Sequence, residues 1–288
     1  MRKVSIILLF LVIASTSNSQ KIDLNLFLGA SNYEGDMQSN FFKFTQPGFT
    51  IGGGITYQLS DRIYVRTGIT FASLSADDKK NPKVYFRNLN FKTSIQELHL
   101  AFEYHLFNID DIRFSPYFFG GLAVYHFNPY TKDMAGNKYY LQPLSTEGQG
   151  FYLNRKQYSL TQFAIPFGGG IKYALNDNIK IGVEVGMRKL FTDYLDDVST
   201  NYVDKNLLFD NRGAKAVELA FRGGEIPNNP VYASYPAADT KRGDPSNKDW
   251  YYFTGLTLSI RLPNKGEIDD RLDKPRKRNK YIMACPSK

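Results

Sequence analysis

The sequence is short of the residues that staple, ligate or catalyse. Its one cysteine, Cys285, stands near the end of the chain, so no internal disulfide can form. There are only three histidines and a single tryptophan among 288 residues. Beyond the N-terminus no apolar run reaches the 18 residues of a helical membrane span, which excludes a bundle of membrane helices. No Gly-x-Ser-x-Gly elbow occurs, and the acidic run Asp193, Asp196 and Asp197 lacks the spacing and glycine of a calcium-binding loop. The net charge of +8 is spread along the chain apart from one cluster near its end. Neither a stacking motif nor a basic helix accompanies it, so nucleic acid is excluded as a partner.

What is abundant is aromatic residues (20 Tyr and 22 Phe) and glycine (23). They fall into runs with a period of two. Ile165, Phe167, Ile171, Tyr173 and Leu175 alternate with Pro166, Gly168, Gly170, Lys172 and Ala174. After the turn Asn176-Asp177-Asn178, the residues Ile179, Ile181, Val183, Val185 and Met187 alternate with Lys180, Gly182, Glu184, Gly186 and Arg188. One face therefore meets an apolar medium. The other mixes small residues with charges of both signs, which suits the cramped polar interior of a narrow barrel better than a water-facing sheet.

Eight such runs are predicted: Ile22 to about Ala30, Gly48 to Leu59, Arg62 to Ser73, Ile95 to Phe107, Ile112 to Phe127, the pair just described, and Trp250 to Leu262. Short turns at 60–61, 108–111 and 176–178 alternate with long connections at about 31–47, 74–94, 128–157 and 189–249. The expected fold is all-β: an eight-stranded antiparallel transmembrane barrel of the outer-membrane type, with long extracellular loops and short periplasmic turns. An even strand count then puts both termini in the periplasm. Tyr57, Tyr104 and Tyr173 recur just before the short turns, as a membrane-interface girdle would require, and Trp250, Tyr252 and Tyr125 are expected at the opposite girdle.

Three segments are distinguished. Residues 1–19 read as a secretory signal, with Arg2 and Lys3 before the apolar Ile6 to Ala14, and a mature chain starting at Gln20. The barrel is assigned to 20–262. A basic periplasmic tail, 263–288, carries eight basic and four acidic residues, a net of +4. Its cluster Lys274, Arg276, Lys277 and Arg278, with Cys285 beyond, is the candidate partner-binding surface.

Inside the barrel, Arg66, Glu97, His99, Glu103, Lys172, Lys180, Glu184 and Arg188 are expected to pair across the lumen and to fill it. His99 and His105 fall in that network and His126 near the outer rim, and no catalytic or cofactor-binding residue is assigned. Asp193, Asp196 and Asp197 could offer oxygens to a hard cation, but their spacing fits no calcium loop, so they are assigned as structural residues of an outer loop and no metal is expected. Changing Asp196 and Asp197 together to asparagine is expected to loosen that loop without altering metal content. On the last strand, Leu256→Arg is expected to cost about 2–4 kcal/mol as a lipid-facing change. An inward Gly255→Ala is the comparison that checks the facing, a milder arginine meaning an assignment wrong by one residue.

Several segments also carry a resemblance. Asn32-Tyr33-Glu34-Gly35-Asp36, Phe127-Asn128-Pro129, Leu141 to Gly150 (with Thr146-Glu147-Gly148-Gln149-Gly150), Ile165-Pro166-Phe167-Gly168 and Thr192 to Ser199 (with Asp193-Tyr194-Leu195-Asp196-Asp197-Val198-Ser199) resemble the PorG family over nearly the whole mature chain. That resemblance implies a non-catalytic outer-membrane barrel of the type IX secretion system, associating with a periplasmic ring of PorK and PorN type, and it supplies no catalytic residues. Outer-membrane lipid is the other partner expected. A stand-alone barrel that binds a ligand or adheres through its outer loops is the alternative, with a lipid-modifying enzyme a third class.

Overall fold

The computed structural model describes residues 21–38, 46–152, 154–229, 231 and 234–263. Eight long antiparallel strands close on themselves. In chain order they are β1 (Ile22–Glu34), β2 (Gly48–Gln58), β3 (Ile63–Asp77), β4 (Asn90–His105), β5 (Phe114–His126), β8 (Thr161–Ala174), β9 (Ile179–Leu190) and β10 (Trp250–Arg261). Each pairs with the next of these eight, β3 with β4 included, and β1 pairs with β10 from Asp23↔Arg261 to Glu34↔Trp250, which closes the seam. A small hairpin, β6 (Tyr130–Lys132) and β7 (Lys138–Tyr140), joins the edge of β4 at Lys92↔Tyr130. Two short helices, α1 (Lys205–Arg212) and α2 (Ala214–Ala220), lie in the longest connection. The first is capped by Asp204, whose carboxylate accepts the amides of Asn206 and Leu207. No helix among the described residues is long and apolar enough to cross a membrane.

The wall is built as the alternation requires. Leu24, Leu26 and Leu28 on β1, Leu98, Leu100 and Phe102 on β4, and Leu256 on β10 all point outward and lie exposed, as do Leu122 and Phe163 at 67% each. So continuous an apolar belt on a closed barrel has one stable environment, the hydrocarbon of a bilayer. Tyr104 and Tyr173 are exposed at the short-turn end of this belt, and Tyr57 is half-buried there. The turn after β8 is made by Asn176, whose side-chain oxygen accepts the amides of Asn178 and Ile179, both at 2.9 Å.

At the long-loop end the alternation inverts. β3 and β4 run past Ser73 and Ile95, where the sequence pattern ends them, to Asp77 and Asn90. Outward positions become Ser73, Ser75, Asp77, Lys92, Ser94 and Gln96, while Leu74, Ala76, Phe91 and Ile95 are buried inside. Beyond the bilayer the wall faces water and the inside becomes an ordinary apolar core. This inversion corrects the placement of Tyr125. It lies on the inward face, 5.6 Å from the rings of both Phe127 and Tyr251, and belongs to the core rather than to a lipid girdle. Tyr252 is buried as well. Trp250 is half-buried against Phe167, edge-on at 6.1 Å, with Lys189 over its indole.

Candidate functional site

The lumen between the two ends is closed by ion pairs. Arg188 donates twice to Glu97, at 3.0 Å each, and the Tyr251 hydroxyl adds a third bond to Glu97 at 2.7 Å. His99 stands 3.5 Å from the same carboxylate. Lower down, Arg66 donates to Glu184 at 2.5 and 3.0 Å and reaches Glu103 at 3.4 Å. Glu103 is also bonded by Lys172 and lies 2.6 Å from His105, and Tyr117 donates to Glu184 at 2.7 Å. Lys180 pairs with Asp23 at 2.5 Å. Four cations, Arg66, Lys172, Lys180 and Arg188, thus meet four carboxylates, Asp23, Glu97, Glu103 and Glu184. Such balance is what allows charges to sit in a narrow interior. The network needs Asp23, which the alternation pattern leaves unremarked.

The short-turn end has its own stopper. Ile109, in the turn between β4 and β5, is only 2% exposed. The next residue, Asp110, reaches to the other side of the wall, where it accepts from Lys21 at 2.7 Å and Arg261 at 2.9 Å. The turn therefore ties the β4–β5 hairpin to the seam strands β1 and β10. A pocket in the lumen beside Arg66, His99, Glu103, Glu184 and Thr257 measures about 60 Å³. That holds a water or two and no substrate. His105 pairs with Glu103, and the exposed His126 lies 2.9 Å from the Thr161 hydroxyl. Neither histidine is hydrogen-bonded to a serine among the described residues.

Over the other mouth sits an ordered cap in which widely separated segments meet. Asp197 accepts the hydroxyls of Thr146 (2.5 Å) and Tyr158 (2.7 Å) at a φ of +66°, a left-handed conformation that Asp and Asn tolerate. Glu147 accepts the amides of Ser199 and Thr200 at 2.9 Å each, the Thr200 hydroxyl at 2.6 Å and Arg242 at 2.9 Å. Arg242 also donates to the Asp197 carbonyl at 2.6 Å. Arg87 binds Asp78 at 2.8 and 3.0 Å and also donates to the carbonyls of Arg242 and Asp36. The Asp36 carboxylate accepts the Asp244 amide at 2.9 and 3.1 Å.

At the centre, the Tyr33 hydroxyl lies 2.5 Å from Asp196 and 3.2 Å from Asp249, whose carboxylates accept the amides of Val198 and Leu195. Gly35 is obligatory here, because a Cβ would stand 2.0 Å from an Asp249 oxygen and 2.1 Å from the Tyr33 hydroxyl. Tyr158 and Tyr194 stack at 4.9 Å and 8° beneath this layer. Asp193, Asp196 and Asp197 are all buried, and among the described residues no group of three or more His, Cys, Asp or Glu is arranged to hold a metal. Burial pushes the Asp197 carboxyl up to about 6, Asp193 up to about 7, and Asp196 and Asp249 well above the carboxylate range.

The acidic run and the segments 32–36 and 146–150 stand out in the sequence, and the structure joins all three in this cap. Their partners Arg87, Arg242 and Asp249 carry no sequence signal, being isolated charges in long loops. The tail residues Lys274, Arg276, Lys277, Arg278 and Cys285, and the signal segment 1–19, lie outside the described residues.

A family model described as "Domain of unknown function (DUF6089)" matches residues 2–216. The chain belongs to this family. No match was found among curated proteins. Among solved structures the chain is similar to Neisserial surface protein A, 9% identical over 85% of this chain and 98% of that one, with a TM-score of 0.39. It is also similar to Ail, the attachment invasion locus protein of Yersinia pestis, solved with a heparin analogue (7% identity, 84% and 99% coverage, TM-score 0.40). A third is a major outer membrane protein from Thermus thermophilus (12% identity, 85% and 100% coverage, TM-score 0.40). The barrel of the DUF6089 chain itself rests on its own closed ladder of strand pairs.

Asp197→Asn keeps an acceptor for one of the two hydroxyls but turns an N–H toward the other, at a cost of about 1–3 kcal/mol in the loop. Surface protease should then cut segment 191–201 faster in intact cells, with barrel insertion and metal content unchanged. Wild-type cleavage rates would show that Asp197 does not hold the loop.

Proposed function

We propose that the chain is a non-catalytic outer-membrane scaffold, anchoring a secretion assembly of the type IX kind through its periplasmic side. The observation that carries this reading is the closure of the barrel from end to end. A lumen filled by four balanced ion pairs, stoppered by Ile109 and Asp110 and capped by ordered loops, has no room to conduct or convert a substrate. A protein so built acts through its surfaces. The resemblance of segments 32–36, 141–150 and 192–199 to PorG points to a ring of PorK and PorN type as partner. With short turns facing the periplasm, residues 263–288 offer the area that a specific contact needs, on the order of 800 Å² per partner. The cluster Lys274, Arg276, Lys277 and Arg278 would speed encounter with an acidic patch.

The test is affinity capture of the full-length chain from outer membranes in mild detergent, followed by mass spectrometry. Ring proteins of PorK and PorN type are expected with the wild type. They should be depleted when a stop codon follows Leu262, while the barrel remains inserted and heat-modifiable on gels. Reversing the four basic charges should weaken capture in a salt-sensitive way. Full capture by an inserted truncated barrel would remove the tail as anchor, and capture of no ring protein by the wild type would defeat the reading. That second result would favour the stand-alone role in ligand binding or adhesion, which the large ordered cap with α1 and α2 also suits.

A further inference from the structure

The cap holds more buried carboxyls than the bonds around them can neutralise. The groups facing this cluster come from seven segments, two of which supply tyrosines alone, Tyr125 of β5 towards Asp249 and Tyr158 ahead of β8 towards Asp196. The end of β1 and its turn supply Tyr33 and Asp36, the segment after β9 supplies Asp193, Asp196 and Asp197, and the segment before β10 supplies Arg242, Asp244, Lys248 and Asp249. The connection after β7 supplies Glu147, and the β3–β4 connection supplies Asp78 and Arg87. The cations are committed elsewhere. Arg242 is on Glu147, Arg87 is on Asp78, and the Lys248 ammonium is on the Pro245 carbonyl at 2.7 Å. None of them bonds Asp193, Asp196 or Asp249.

Two geometric facts then favour protons on these carboxyls. The Tyr33 hydroxyl has one hydrogen but lies within bonding distance of two carboxylates, at 2.5 and 3.2 Å. One hydrogen shared between two acceptors leaves the longer contact, to Asp249, weak, and a proton on either carboxyl would complete the second bond by donating to the Tyr33 oxygen. Asp193 is 2% exposed, and neither of its carboxylate oxygens makes a well-formed hydrogen bond among the described residues, the Ser199 side chain being a weak partner at most. A bare carboxylate buried this way beside two others is held against both desolvation and repulsion.

We propose that Asp193, Asp196 and Asp249 form a proton-holding lock that keeps the cap closed at low pH and releases it as the pH rises. Protons are the ligand, and the segments 191–201 and 241–249 are what they hold down. A carboxyl whose proton is held more tightly in the closed cap than in an opened loop favours closure. That contribution is whole below the ordinary carboxylate range, near 4, and is lost as the pH climbs through the raised value. For Asp193 the window runs from about 4 to about 7, and for Asp196 and Asp249 it extends higher. Each titrating group raises the opening equilibrium about tenfold per pH unit within its window.

The test is hydrogen exchange of the full-length protein in detergent micelles from pH 5 to pH 9, corrected for intrinsic exchange. Trp250 emission is a second readout, since it is the sole tryptophan and adjoins Asp249. Protection of 191–201 and 241–249 is expected to fall at least about tenfold between pH 5 and 8, while β8 and β9 stay protected. Asp193→Asn loses no well-formed hydrogen bond and still offers Ser199 an acceptor, so it should flatten the profile severalfold and leave the loops better protected than wild type at pH 8. Asp249→Asn, which can still accept the Leu195 amide, should do the same and serves if the first variant fails to insert. A flat wild-type profile, or unchanged slopes in both variants, overturns the proposal. So does loss of the transition in His126→Gln, which would assign it to the rim histidine. Saturable restoration of protection at pH 8 by calcium chloride, reversed by chelator, would replace the proton with a cation and overturn it too.

Discussion

Glu103→Ala is expected to destabilise the barrel by about 3–5 kcal/mol, because it removes the one carboxylate that Lys172 has among the described residues. Glu103 is fully buried and gathers Lys172, His105 and, at longer range, Arg66. Arg66 keeps Glu184 when Glu103 is gone. Lys172 keeps only the face of Tyr117, 4.6 Å away, which does not replace a carboxylate. The loss is therefore that of a stranded buried cation rather than of a bond. Replacing both partners with apolar residues, Glu103→Leu with Lys172→Met, should recover most of it, giving a coupling of several kcal/mol in a double-mutant cycle. Reversible urea unfolding in lipid vesicles measures all three variants. A single-variant loss below about 1 kcal/mol would mean that water screens the pair as at a surface, so that the lumen is wet and open rather than packed.

This network was legible because a barrel wall writes its two faces into alternate residues. Arg66, Glu97, Glu103, Lys172, Lys180, Glu184 and Arg188 occupy inward parity among outward leucines and valines, so their common destination could be read even though their pairing could not. Asp23 has inward parity between Ile22 and Leu24, but its inward neighbours Asn25, Phe27 and Gly29 are uncharged, so nothing local marks it as part of a charge network. Strand length was harder. β3 and β4 continue about five residues beyond the pattern, since above the bilayer the apolar side chains Leu74, Phe91 and Ile95 turn inward and serine and lysine turn outward. The period survives there but its phase reverses, and Tyr125 was misplaced for that reason. The cap was half legible. Its acidic run and the Glu147 segment are distinctive, but contacts such as Tyr33 to Asp249, more than two hundred residues apart, depend on barrel closure and leave no local trace.

Gly255→Ala is expected to cost about 3 kcal/mol or more, at or above the roughly 2–4 kcal/mol of its neighbour Leu256→Arg. Gly255 faces inward, yet the space beside it is occupied. An added Cβ would stand 2.3 Å from the Leu28 carbonyl oxygen and 2.7 Å from the Gly29 Cα, both backbone atoms that cannot swing aside. Gly29 is its register partner at the β1–β10 seam and has the reciprocal problem, a Cβ there meeting the Thr254 carbonyl at 2.2 Å. The two strands approach so closely because neither has a side chain at this level. This corrects the simple expectation that a milder arginine would reverse the facing of β10. Leu256 is 62% exposed on the outer wall whichever change proves milder. What separates the two is the solvent each one meets. The arginine penalty depends on depth in hydrocarbon, so refolding in vesicles of shorter acyl chains should shrink it. The alanine penalty is steric and internal, so it should stay constant across the same lipid series. Equal dependence on bilayer thickness in both variants would place Gly255 at the lipid face and invert the register of the seam.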